Sequence, residues 1–218
     1  MRSWSPAEVL AGFRESTEQR LTALDAMSLE EWDAESFTPA GRDSYGRFMQ
    51  IRTFDCWLHE QDIRDTVGQP GHASGVAGDV TLDEMATALG FVVGKRAGAE
   101  PGQSVTFELT DGGVVVRAFH VSVGERAAVV PALDGPATAT LRMPVGVMTR
   151  RSAGRVPADA FIDQITIAGD TALAERVLAN QAYTICPLCR SAGRGSPHVT
   201  VRPARSAFSV SGPRREYR

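Results

Sequence analysis

Apolar side chains recur at helical spacing through the first hundred residues and at strand spacing through the next seventy. Ser5-Pro6-Ala7-Glu8 opens a helix with a capping box and Pro at its first position, and Val9, Leu10, Phe13, Leu21 and Leu24 give it an apolar face to about Met27. Ser28-Leu29-Glu30-Glu31 is a second capping box, starting a short turn that places Trp32. The stretch from Asp33 to Tyr45, with Pro39 and Gly41, reads as a loop. Arg47 to Gly68 contains no Pro and no interior Gly, so it reads as a helix of about six turns with Phe48, Ile51, Phe54 and Leu58 on its buried stripe. Gln69-Pro70-Gly71 breaks it. A third long helix is expected from about Val80 to Lys95, with Leu82, Met85, Leu89, Val92 and Val93 on its core side.

Past the glycines at Gly98 and Gly102 the period changes. Ser104 to Leu109 and Val114 to Val121 alternate as two strands around a hairpin signal at Asp111-Gly112-Gly113. Arg126 to Val130 and Thr138 to Met143 read as further strands, Val145 to Ala153 as a short helix and Ile165 to Ala168 as a last strand. Gly169-Asp170 turns into an amphipathic helix from Thr171 to Tyr183 that carries Leu173, Val177 and Leu178 inward. Helices first and a sheet with helices second define an α+β chain.

Composition narrows the class. A chain of 218 residues, 43% apolar and 22% charged, has ample material for a core. No apolar run reaches the eighteen residues of a membrane span, and MRSWSPAEV lacks the apolar stretch of a secretory signal. Cys56, Cys186 and Cys189 do not make a disulfide framework, so a cytoplasmic location is the expectation. The net charge of −3 hides an asymmetry: residues 186–218 hold seven Arg and one Glu, or +6, and the rest of the chain holds −9. That strip has four Pro, three Gly and five Ser, and is expected to be a basic disordered tail with no specific nucleic-acid partner. Cys186, Cys189 and His198 supply at most half of a four-ligand zinc site.

The chemistry concentrates in FDCWLHEQDIRDTVGQPG. Asp55 and His59 lie four apart on the long helix and are therefore neighbours on one face, with Asp62 three further on. A carboxylate and an imidazole one turn apart can grip a metal or orient each other; equally, they can be a mutually satisfied surface pair. Cys56 points about 100° away from Asp55 around the helix and reads as a core thiol.

The same stretch resembles the signature helix of the mycothiol-dependent maleylpyruvate isomerase family, a group of DinB-like helical bundles. The pattern is an acidic residue, three positions, then His-Glu-Gln-Asp-Ile-Arg and Gly-x-Pro, here Asp55, His59, Glu60, Gln61, Asp62, Ile63, Arg64, Gly68 and Pro70. ATATLRMPVGVMTRRSAGRV and ITIAGDTALAERVLANQAYTI are similar to the sterol-carrier-like C-terminal domain that follows the bundle in this family. The resemblance implies an incomplete DinB-like bundle over residues 1–98, a small sterol-carrier-like α/β domain over 104–185, and the tail over 186–218.

It further implies a metal-dependent isomerase or thiol transferase, maleylpyruvate-isomerase-like or mycothiol S-transferase-like if active, working on a small electrophilic substrate. The cofactors implied are a divalent metal, zinc foremost, and mycothiol as co-substrate, whose thiolate the metal would make available. Asp55 and His59 carry over as two metal ligands, and Asp62 and Arg64 as second-shell or substrate contacts; no residue carries over as catalytic. The pair is expected to face an interior cleft. The family's third ligand, a His on a preceding helix, has no counterpart: His72 follows a turn, His120 lies in a strand and His198 in the tail. The chain therefore reads as starting at the family's second helix, which leaves apolar helix surface uncovered and favours self-association. The competing reading is a non-catalytic small-molecule or lipid-binding module with a degenerate metal site.

Overall fold

In the computed structural model, which describes residues 4–183, the capping signals set the first elements. Ser5 caps α1 (Pro6–Asp25) and Ser28 caps α2 (Leu29–Asp33), each in a complete capping box with Glu8 and Glu31. The stretch read as a loop is instead a tight hairpin of β1 (Glu35–Thr38) and β2 (Gly41–Ser44). Pro39 and Ala40 are its turn residues, and the buried Thr38 hydroxyl donates to the Gly41 carbonyl at 2.8 Å. Four-residue strands with mostly polar side chains leave little alternation to read in advance.

Ser44 caps α3 (Tyr45–Thr66), the signature helix. The segment expected as one long third helix is α4 (Val76–Ala86) followed by a π-helical turn over Phe91–Arg96. Its predicted core side is right: Leu82, Met85, Leu89, Val92 and Val93 are all buried. The turn is shaped by contact, because a Cβ on Gly90 would lie 2.6 Å from the Ala127 carbonyl oxygen and one on Gly94 2.6 Å from the Ala127 Cβ.

The second half is a five-stranded mixed sheet in the order β5-β4-β3-β6-β7. Its strands are β3 (Ser104–Asp111), β4 (Val114–Val123), β5 (Ala127–Val130), β6 (Ala139–Pro144) and β7 (Thr166–Gly169). β3 pairs antiparallel with β4 and parallel with β6. The α5 (Val145–Ser152) and α6 (Thr171–Ala179) helices cover it, and the Asp170 side chain caps α6 through the Leu173 amide. Period-two alternation buries Val105, Phe107 and Leu109 on β3 and Ala139, Leu141 and Met143 on β6 beneath Leu173, Val177 and Leu178.

Leu82 and Ala86 of α4 join this core, so the helical and sheet halves share packing. A smaller cluster of Trp57, Leu58, Met85 and Ala153 ties α3 to α4 and to the end of α5. The described residues fall in one compact unit. α1 differs from every other long helix. It has no buried residue, and Val9, Leu10, Phe13 and Leu21 are exposed on it. Cys186, Cys189, His198 and the basic tail lie outside the described residues.

Candidate functional site

The polar residues of the signature helix have structural partners that the linear pattern does not reveal. Glu60 accepts from Arg64 Nε at 2.8 Å and meets His72 Nδ1 at 2.8 Å. Hydrogen bonds from Arg64 and then from His72 hold its carboxyl below the usual carboxylate range. Gln61 and Trp57 donate to the His72 carbonyl at 3.3 and 3.1 Å. Three side chains of α3 thus pin the loop that follows it. Arg64, a candidate for substrate charge, is engaged in this pinning.

Two acids of α3 reach the sheet half. Arg155 Nε lies 3.2 Å from both carboxylate oxygens of Asp62, and Arg150 Nε donates to Asp65 at 2.9 Å. Between them lies a cleft of about 490 Å³, with Trp57, Leu58, Asp62 and Asp65 on the α3 wall and Arg150, Arg155 and Phe161 opposite. The Arg150 guanidinium sits 5.8 Å over the Phe161 ring. Among the described residues the two non-glycine positions with left-handed φ, His72 at 57° and Phe161 at 60°, both flank this region. Strained backbone of this kind concentrates at functional sites. The cleft has an apolar floor and two guanidiniums, each paired with a carboxylate of α3.

The metal candidates lie beside Asp62 on the outward face of α3. His59 Nε2 is 3.6 Å from Asp55 Oδ1 and its Nδ1 is 3.4 Å from Asp62 Oδ2. Two ligands of one tetrahedral zinc, each at about 2.0–2.1 Å, stand roughly 3.3 Å apart, so Asp55 and His59 fit two corners of such a site. Asp62 does not fit a third: it approaches the opposite ring nitrogen and is bound by Arg155. Among the described residues no group of three or more His, Cys, Asp or Glu side chains could hold a metal ion. One chain therefore brings two ligands together and does not complete a site.

Two expectations are corrected here. Asp55 and His59 face outward, with side chains 59% and 62% exposed, because Trp57 and Leu58 take the inward face of α3. Cys56 is exposed for the same reason and is not a core thiol. The reading from sequence missed Arg150, Arg155 and Phe161. The cluster of cations in TRRSAGR was a usable signal, but nothing along the chain marks Asp62 and Asp65 as its partners.

Comparison with known proteins fits the class that this helix defines. Residues 1–64 match the mycothiol maleylpyruvate isomerase N-terminal domain, the family that the signature helix resembles. No curated protein sequence matches the chain. Solved structures similar to part of it are sterol carrier proteins. Sterol carrier protein 2 from Yarrowia lipolytica, in its apo form, has a TM-score of 0.36 and 12% identity, covering 51% of this chain and 99% of that one. The Aedes aegypti sterol carrier protein-2 in complex with palmitate has a TM-score of 0.34 and 23% identity, covering 45% and 94%. Among the described residues no helix is long and apolar enough to cross a membrane.

Proposed function

We propose that the chain is a metal-dependent, low-molecular-weight-thiol-dependent isomerase or thiol transferase acting on a small electrophilic substrate. Mycothiol is the thiol and zinc the metal in this reading. The observation that carries it is the Asp55–His59 pair, beside Asp62 of a cleft that holds Arg150 and Arg155, on the helix where the match to the mycothiol maleylpyruvate isomerase N-terminal domain ends. Arg150 and Arg155 would take the carboxylate of an unsaturated acid, Trp57 and Phe161 would cover its carbon frame, and Asp62 would hold Arg155 in place. A cation on Asp55 and His59 would supply thiol activation. One chain offers that cation only two ligands among the described residues.

The test is an assay of purified, zinc-equilibrated protein with mycothiol, scored for cis–trans isomerisation of maleylpyruvate and for thiol addition to an electrophile such as monobromobimane. Thiol-dependent turnover that falls at least tenfold in Arg150→Ala and in His59→Ala is expected. Turnover absent with and without zinc would leave a non-catalytic binding module.

A further inference from the structure

A second cavity, of about 440 Å³, lies between α4, the β3–β4 turn and the start of α5, and shares only Ala73 and Gly146 with the cleft. Local sequence keeps it open. Gly112 and Gly113, with φ of 54° and 85°, form the turn, and a Cβ on either of them or on Gly146 would meet nothing within 4 Å. These parts of the wall are bare of side chains. Along β4 the register slips: Leu109 pairs with Arg117 but Thr110 pairs with Val115, so Val116 is an extra residue. Regular alternation sends consecutive side chains to opposite faces of a strand. The bulge suspends that rule, and Val116 and Arg117 both line the cavity.

The apolar part of the lining is Leu82 of α4 with Val116, Pro144 and Val145. The charged part is Asp79, Asp111 and Arg117. Arg117 is already engaged: it pairs with Asp83, lies 3.8 Å from Asp79 and sits 5.3 Å over the Phe119 ring. The Asp111 carboxylate has no ion-pair or hydrogen-bond partner among the described residues. Arg142 donates to the Gly113 carbonyl at 2.8 Å, and its charge is offset by Glu108 at 3.8 Å. Asp79, Asp83 and Asp111 therefore stand against the single guanidinium of Arg117, and the cavity carries net negative charge.

We infer that this cavity binds a small primary amine with an apolar body, its ammonium group held by Asp111 and Asp79 and its carbon chain by Leu82, Val116 and Val145. The occupant follows from charge and surface together. A carboxylate without a partner favours a cation, and an excess of carboxylates disfavours an anion. The apolar lining stabilises only a ligand with carbon to bury, which separates an amphiphilic amine from a bare inorganic cation. The two lining acids also fall short of a metal site, since no group of three or more His, Cys, Asp or Glu among the described residues could hold an ion. The site is independent of the reaction proposed for the cleft.

The experiment titrates the full chain with hexylammonium, hexanol and hexanoate and follows side-chain resonances by NMR. Hexylammonium is expected to shift the methyls of Leu82, Val116 and Val145 and to bind at least fivefold more tightly than hexanol, while hexanoate leaves these methyls unmoved. Asp111→Asn should weaken hexylammonium at least fivefold and leave hexanol unchanged. Val116→Lys, at a position 54% exposed, sets a tethered ammonium among the same carboxylates and should exclude hexylammonium, with circular dichroism checking the fold. Equal affinity for the three probes would overturn the inference, as would hexylammonium affinity unchanged in both Asp111→Asn and Asp79→Asn. Shifts confined to Trp57 and Phe161 would put the amine in the cleft and overturn it as well.

Discussion

Arg155 holds Asp62 through contacts of 3.2 Å to each carboxylate oxygen, across 93 positions of sequence. This pair, with Arg150 and Asp65, clamps the signature helix onto the sheet half along one wall of the cleft. An acid inside the most family-like stretch of the chain thus has a partner in a different half of the molecule.

The clamp should be measurable. Both side chains keep partial solvent access, so a double-mutant cycle of Asp62→Ala and Arg155→Ala is expected to give a coupling of about 0.5–1 kcal/mol in chemical denaturation. Additive losses would mean that the two groups do not interact in solution.

Glu60 gives the fold an acid limb. Its folded carboxyl titrates below the usual range, so its contribution is present above the unfolded value of about 4.3 and is lost as pH falls through the lower folded value. Glu60→Gln should lower stability at pH 7 by less than about 1 kcal/mol after solvent screening, and the difference should shrink as pH falls through the lowered folded value. A constant difference from pH 7 to pH 3 would show that the Arg64 and His72 contacts do not favour the charged form.

Arg151 is buried without a carboxylate in hydrogen-bond reach, and burial lowers its pKa from the ordinary value. It donates instead to Gln181 Oε1 at 3.0 Å, to the Leu178 carbonyl at 2.9 Å and to the Ala160 carbonyl at 2.8 Å, satisfying the C-terminal end of α6. Arg151→Ala strands these acceptors and opens a cavity, so a loss of about 3 kcal/mol is expected in urea unfolding. A loss under about 1 kcal/mol would mean that water replaces the guanidinium.

Gly90→Ala places a methyl against the Ala127 carbonyl oxygen at 2.6 Å, with backbone on both sides of the contact. A loss of about 1–3 kcal/mol is expected, and Gly94→Ala should behave alike. The same substitution at Gly135, where nothing lies within 4 Å, is the control and should be near neutral.

Local rules determined most of the elements of this protein. Capping boxes at Ser5 and Ser28, the glycine turn at Gly112-Gly113, and the alternation through Val105, Phe107 and Leu109 each depend on neighbours within a few residues, so they are legible along the chain. The core side of Leu82, Met85, Leu89, Val92 and Val93 followed from spacing alone, because helical periodicity fixes which side chains share a face. Tertiary structure decided the rest. Which face of α3 turns inward depended on Trp57 and Leu58 meeting Met85 and Ala153, and that choice left Asp55, Cys56 and His59 outside. The π-helical turn followed from the close approach of Ala127. The cleft exists because Asp62 and Asp65 meet Arg155 and Arg150 from the far side of the chain, and charge pairing over that separation has no spacing rule to announce it.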